Sequence, residues 1–163
     1  MMGTWGCQRW VFNREGAKAQ RNVVYIYHHR PLPMDKILRD EDKDLQPITM
    51  DQWLKTKPPE LRPLAKRWFD QIKACSDEVV PIFHDNYPIA CVDRAPFAYV
   101  NVYSEHVNVG FFYGAYLPDP HGLLEGTGKH GRHVKLWPGK AADEKAISIL
   151  IEAAYDDIRR RLA

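Results

Sequence analysis

Seventeen residues, His121 to Trp137 ("HGLLEGTGKHGRHVKLW"), hold four glycines, three histidines, two lysines and one arginine. Glycine, imidazole and guanidinium at this density suit three kinds of chemistry: nucleotide binding, metal binding and oxyanion binding. A nucleotide P-loop needs G-x-x-x-x-G-K-[ST] between a strand and a helix. Leu123 stands where its first glycine belongs, His130 replaces the hydroxyl that holds magnesium, and a strand pattern follows. A smaller anion site fits better. Gly126 and Gly128 free the backbone to turn the N–H groups of Gly126, Thr127, Gly128 and Lys129 toward one spot. Arg132 offers a planar fork for a bidentate oxyanion, and Lys129 and His133 add charge and donors. Glu125 is the competing partner. Paired with Arg132 or Lys129, it makes the stretch a self-satisfied structural lock. A solvated glycine-rich turn is the plain structural alternative.

The metal candidates are His121, Glu125 and His130, with His133 close by. Imidazole and carboxylate suit zinc or iron. Ligands must converge, however, and His130 and His133 are three apart as the chain enters a strand, which sends them to opposite faces if both are extended. Catalytic constellations are thinner. No serine, cysteine or threonine sits in a nucleophile turn. Cys75 falls on a core stripe and Cys91 in a strand, so both read as inert buried thiols. His84, Asp85 and His106 could serve as acid–base groups, but a lone histidine more often has a structural role. The residues favour binding over catalysis.

Several elements must position these groups. Thr49 and Gln52 form a capping box for a short helix to about Lys55, with Ile48 and Trp53 as its hydrophobic staple. A second helix spans about Glu60 to Cys75, with Leu61, Leu64, Trp68, Ile72 and Cys75 as its stripe. Ser76 reads as the N-cap of a helical turn that Pro81 cuts short. "DNYP" is a turn and Ile89 to Val92 a strand. Phe97 to Tyr103 alternates, with Ala98, Val100 and Val102 on one face and Phe97, Tyr99 and Asn101 on the other. His106 to Tyr113 alternates too, and Ser104-Glu105 joins the two as an antiparallel hairpin. Its second face gathers Tyr99, Tyr103, His106, Asn108 and Phe112, aromatic and polar together. "RHVKLW" is a further strand with Val134 and Leu136 inward. A last helix runs from about Ala141 to Arg161, its stripe Ile147, Leu150, Ile151, Ala154 and Ile158, with Arg159 to Arg161 at the negative end of its dipole. Helices, then hairpins, then one long helix predict an α+β fold: a small antiparallel sheet with helices on one face.

The 163 residues are 45% hydrophobic, enough for one domain with a substantial core. The net charge of +2 arises entirely within residues 1–50, so the domain has no overall field for nucleic acid or an anionic membrane. Three scattered cysteines fit a reducing compartment. No apolar run is long enough for a membrane span, and the N-terminus lacks a signal peptide's apolar region. Together these predict a cytoplasmic protein. Residues 1–46, with Pro31 and Pro33 after "VVYIYHH" and Pro47 just beyond, predict a loosely ordered tail with one short docking strand ahead of a domain over 47–163.

From about Met50 to Ile158 the chain resembles the YdhG-like family, a domain family of unassigned function. The specific part is "HVNVGFFYGAYLPDPHGLLEGTGKHGRHVKL", and "PPELRPLAKRWFDQIK" belongs to it as well. The resemblance implies an α+β domain, and some members are labelled frataxin-like iron chaperones for cluster assembly. Frataxin-type iron binding uses an acidic ridge, whereas here Asp156-Asp157 is followed by three arginines. The expectation is therefore a non-enzymatic module that binds a small anionic ligand or a protein partner. Its site would lie between Gly126, Thr127, Gly128, Lys129, Arg132 and His133 of the loop and Tyr99 and Phe112 of the sheet, with no cofactor. The alternative is an iron-binding chaperone.

Overall fold

A computed structural model describes residues 49–163. The predicted tail, the strand at Val23–Tyr27 and the staple residue Ile48 lie outside them. Helix α1 (Met50–Lys55) opens on the expected capping box: Thr49 Oγ1 accepts from Gln52 N, and Gln52 Oε1 accepts from Thr49 N at 2.8 Å. A 3-10 turn (Pro59–Leu61) leads into α2 (Arg62–Lys73), later than expected because the prolines take up the first turn. The strands β1 (Val80–His84), β2 (Tyr87–Val92), β3 (Ala95–Val102), β4 (Val107–Phe111) and β5 (Arg132–Leu136) follow. A second 3-10 turn (Gly114–Tyr116) lies between β4 and β5, and α3 (Glu144–Leu162) closes the fold. Asp143 caps α3 through Ala146 N, so the helix begins three residues after the expected start.

The five strands form one antiparallel sheet in sequence order. Two-residue turns join β1 to β2 and β2 to β3. Asp85, Asn86, Asp93 and Arg94 all have positive φ there, the primed geometry that matches strand twist. Helices α2 and α3 pack on the centre of the sheet at β3, and α1 joins them through Trp53, which meets Phe83 edge-on. The predicted α+β architecture, with its helices on one face, is the architecture observed. Trp68, Phe69 and Ile72 of α2 and Ile147, Leu150, Ile151 and Ile158 of α3 meet Val100, Val107, Val109 and Phe111 of the sheet in one core.

Two local expectations are corrected. Ser76 does not start a helix. Its hydroxyl and carbonyl accept from Glu78 N and Val79 N, which closes a turn that feeds β1. Pro81 is compatible with that strand because β1 is the sheet's edge. Phe97 lies on the core face beside Ala98, and not across from it. The β2–β3 register jumps from Ala90↔Ala98 to Cys91↔Pro96, so Phe97 is the extra residue of a bulge and turns toward Tyr155 of α3.

Candidate functional site

Strand alternation builds the site. Val134 and Leu136 of β5 point into the core, so His133, Lys135 and Trp137 project from the opposite face, which carries no α-helix among the described residues. Cross-strand register arranges that face in three rows. The first runs Ile82, Ile89, Tyr99, Gly110, His133, and ends at Glu125, which bridges the outer edge of β5. The second is Asn101, Asn108, Lys135. The third is aromatic: Tyr103 stacks on His106 at 4.8 Å, His106 meets Trp137 at 5.9 Å, and the Lys140 ammonium lies 4.6 Å from the Trp137 ring.

Gly110 explains the shape of the centre. The Tyr99 ring lies across it, so near that an added Cβ would stand 2.0 Å from Cζ. The glycine thus lets Tyr99 reach from β3 over β4 toward His133. Tyr87 and Phe112 support the ring at 5.2 and 5.6 Å. Burial, with Tyr103 and Tyr87 nearby, pushes the Tyr99 hydroxyl up to about 12, so it stays a neutral phenol. Burial likewise holds His133 below the ordinary histidine value, helped by Lys135 and His106 and opposed by Glu125. Near neutral pH the imidazole is uncharged. Lys135 and Glu125 neutralise each other at 2.9 Å. The face therefore offers uncharged donors and acceptors around the Glu125–Lys135 pair, with the Lys140 ammonium at its aromatic edge. Two of its buried atoms, Asn108 Oδ1 and His133 Nε2, have no hydrogen-bond partner among the described residues.

The glycine-rich loop borders this face but does not act as one unit. Gly126, at φ 111°, runs beside the His133 ring, where an added Cβ would lie 3.5 Å from it. Arg132 and His133 are adjacent strand residues and so leave β5 on opposite faces, which separates two groups expected in one site. Arg132 passes tightly by Gly114, and its Nη1 donates to the carbonyls of Gly128 and Gly131, each at 2.6 Å. The pairing of Glu125 with Arg132 or Lys129 expected of a lock is not formed: Arg132 is held by backbone carbonyls of its own loop, and Glu125 pairs with Lys135 instead. Thr127, Gly128 and Lys129 are exposed at the loop's tip.

The three metal candidates go to separate partners. His121 Nδ1 lies 3.3 Å from Asp143, Glu125 pairs with Lys135, and His130 Nδ1 meets the Tyr116 hydroxyl at 2.6 Å. Among the described residues no three such side chains converge as a metal site. Three carboxylates on the helix side of the sheet are engaged by guanidinium groups, Glu78 by Arg159, Glu144 by Arg67 and Asp157 by Arg161, and Asp70 pairs with Lys66. Also among the described residues, no helix is long and apolar enough to cross a membrane.

No family model, no curated protein and no solved structure matches this chain. The YdhG-like resemblance accordingly rests on the quoted residues. Sequence reasoning gathered Tyr99, Tyr103, His106, Asn108 and Phe112 on one face but missed Lys135 and Trp137. The same alternation that turns Val134 and Leu136 inward was sufficient to add them.

Proposed function

We propose that the protein is a small-molecule binding module whose ligand lies on the open face of the sheet, over Tyr99, Asn108 and His133. The observation that carries this reading is the pair of unpartnered buried atoms, Asn108 Oδ1 and His133 Nε2. A buried polar group left without a hydrogen bond costs about 1–3 kcal/mol. Two on one face, beside a half-buried aromatic row, point to a ligand that supplies the missing partners when neighbouring side chains shift. The face is aromatic and nearly neutral, which suits a planar polar molecule carrying an N–H donor better than a strongly charged one. Binding is favoured over catalysis because the ionisable groups are held in unreactive forms. Tyr99 stays protonated, His133 is biased to its neutral form, and burial pushes the Cys75 thiol up to about 11.

The test is a ligand-observed NMR screen of planar heteroaromatic metabolites against the wild type, Asn108→Ala and Arg132→Ala. Hits should weaken about tenfold or more in Asn108→Ala. Arg132→Ala should keep them while melting earlier, because it removes only the loop's internal hydrogen bonds. Hits that bind Asn108→Ala as well as wild type would overturn the reading.

A further inference from the structure

The last turn of α3 carries a second buried polar cluster, on the helix side of the sheet. Asp157 is 3% exposed, and the Arg161 side chain only 9%. Arg161 Nε donates to Asp157 Oδ2 at 2.7 Å. Its guanidinium lies 4.0 Å from the Tyr113 ring centre and 5.3 Å from that of Tyr116. The Tyr116 hydroxyl is hydrogen-bonded to His130 of the glycine-rich loop, whose ring lies 5.6 Å away. Asp157 also faces Arg160 at 3.6 Å, so two cations share one carboxylate. Arg161 Nη2 is buried and meets no acceptor among the described residues.

A guanidinium presents its donors in one plane. Tyrosine rings this close offset part of the lost hydration, but a ring face does not replace an acceptor for the in-plane hydrogens. Asp157 accepts at Nε, which leaves Nη2 unmet. An unmatched donor on a buried cation is costly, and an oxygen anion in the guanidinium plane is the group that satisfies it with the best geometry.

We infer that Arg161 anchors an oxyanion, the carboxylate or phosphate of a small molecule, in a site walled by Tyr113 and Tyr116. The Tyr116–His130 contact is the cover that must move to admit it. The inference is independent of the open-face reading, because the two sites lie on opposite faces and share no residue.

The experiment follows the Arg161 Nε–Hε resonance during titration with inorganic phosphate and, separately, acetate, at ionic strength matched with chloride. One probe or both should shift that resonance saturably, and their ratio tells phosphate from carboxylate. Arg161→Lys keeps the charge but not the fork, and should weaken binding about tenfold as read by calorimetry. Tyr116→Phe loses the hydrogen bond that holds the cover and leaves the Asp157–Arg161 pair intact. It should bind the same probe several-fold tighter, which provides a test even if Arg161→Lys does not fold. Absence of saturation with either probe in both wild type and Tyr116→Phe would overturn the inference. So would equal binding by a folded Arg161→Lys.

Discussion

Gly110→Ala tests whether the Tyr99 ring really lies across β4. An added Cβ would stand 2.0 Å from Cζ, 2.1 Å from Cε1 and 2.5 Å from the hydroxyl oxygen of Tyr99. Ordinary carbon contacts are about 3.5–4.0 Å, so the ring must retreat by roughly 1.5–2 Å. Its contacts with Tyr87 and Phe112 loosen as it does so. Overfilling a packed site costs about 1–3 kcal/mol, and each aromatic pair contributes about 0.5–1.5 kcal/mol beyond its buried area. Against this, replacing a strand-interior glycine stabilises by roughly 0.5–1 kcal/mol. The net expected loss is on the order of 1–2 kcal/mol. In a Tyr99→Ala background nothing occupies the space, and the same substitution should stabilise by about 0.5 kcal/mol or more. Urea denaturation of the wild type, both single variants and the double variant, followed by circular dichroism, measures that reversal. Equal effects in the two backgrounds, within about 0.5 kcal/mol, would refute the placement of the ring.

Two further outcomes follow from the core and from the protonation of the face. Trp68 is 1% exposed at the centre of the α2 stripe, so Trp68→Ala should cost about 3–5 kcal/mol by chemical denaturation; a loss under about 1 kcal/mol would contradict its position. Burial holds His133 below its ordinary 6.5 in the fold, so between that value and the folded one the unfolded chain binds more protons. Its contribution is present above about pH 6.5 and is lost as pH falls below it. Glu78 and Glu144, held below 4.5 by Arg159 and Arg67, act in a separate and more acid range. His133→Gln should therefore flatten the change in stability between about pH 7.5 and 5.5, and an unchanged slope would show that His133 does not carry it.

What was legible in the sequence was whatever a short-range pattern determines. The Thr49–Gln52 box, the α3 stripe, the hairpin turned by Ser104-Glu105 and the inward pair Val134 and Leu136 all depend on residues within one or two turns of each other. The misreadings arise where a long-range partner decides. Ser76 presents the same local chemistry to a helix or to a turn, and the strand partner that selects the turn begins at Tyr87. Phe97 alternates correctly along its own chain, but the bulge opposite Ala90 and Cys91 overrides that parity. The Asp157–Arg161 pair has ordinary helical spacing. Its burial depends on Tyr113 and Tyr116, which the sequence places far away. The three C-terminal arginines read alike as complements to the helix dipole, and the fold distinguishes them.

The glycine-rich signature concentrates chemical groups because it must serve several places at once. His133 and Glu125 turn to the open face, where they frame Tyr99 and Asn108. Arg132, one residue from His133, turns away and holds the carbonyls of Gly128 and Gly131. His130 reaches Tyr116, while its own carbonyl accepts from Ala115 N at 2.8 Å. Three neighbouring basic residues thus end at three unrelated partners. Only a backbone free of side-chain collisions can change direction this quickly, and Gly126 at φ 111° is one position where it does so. Density of chemical groups in such a stretch is therefore a poor guide to a shared site. Strand parity, applied residue by residue, separates groups that composition alone would pool. On one side the loop meets the uncharged centre of the sheet through His133, and on the other its His130 meets Tyr116, whose ring lies against the buried Arg161 from the far end of α3.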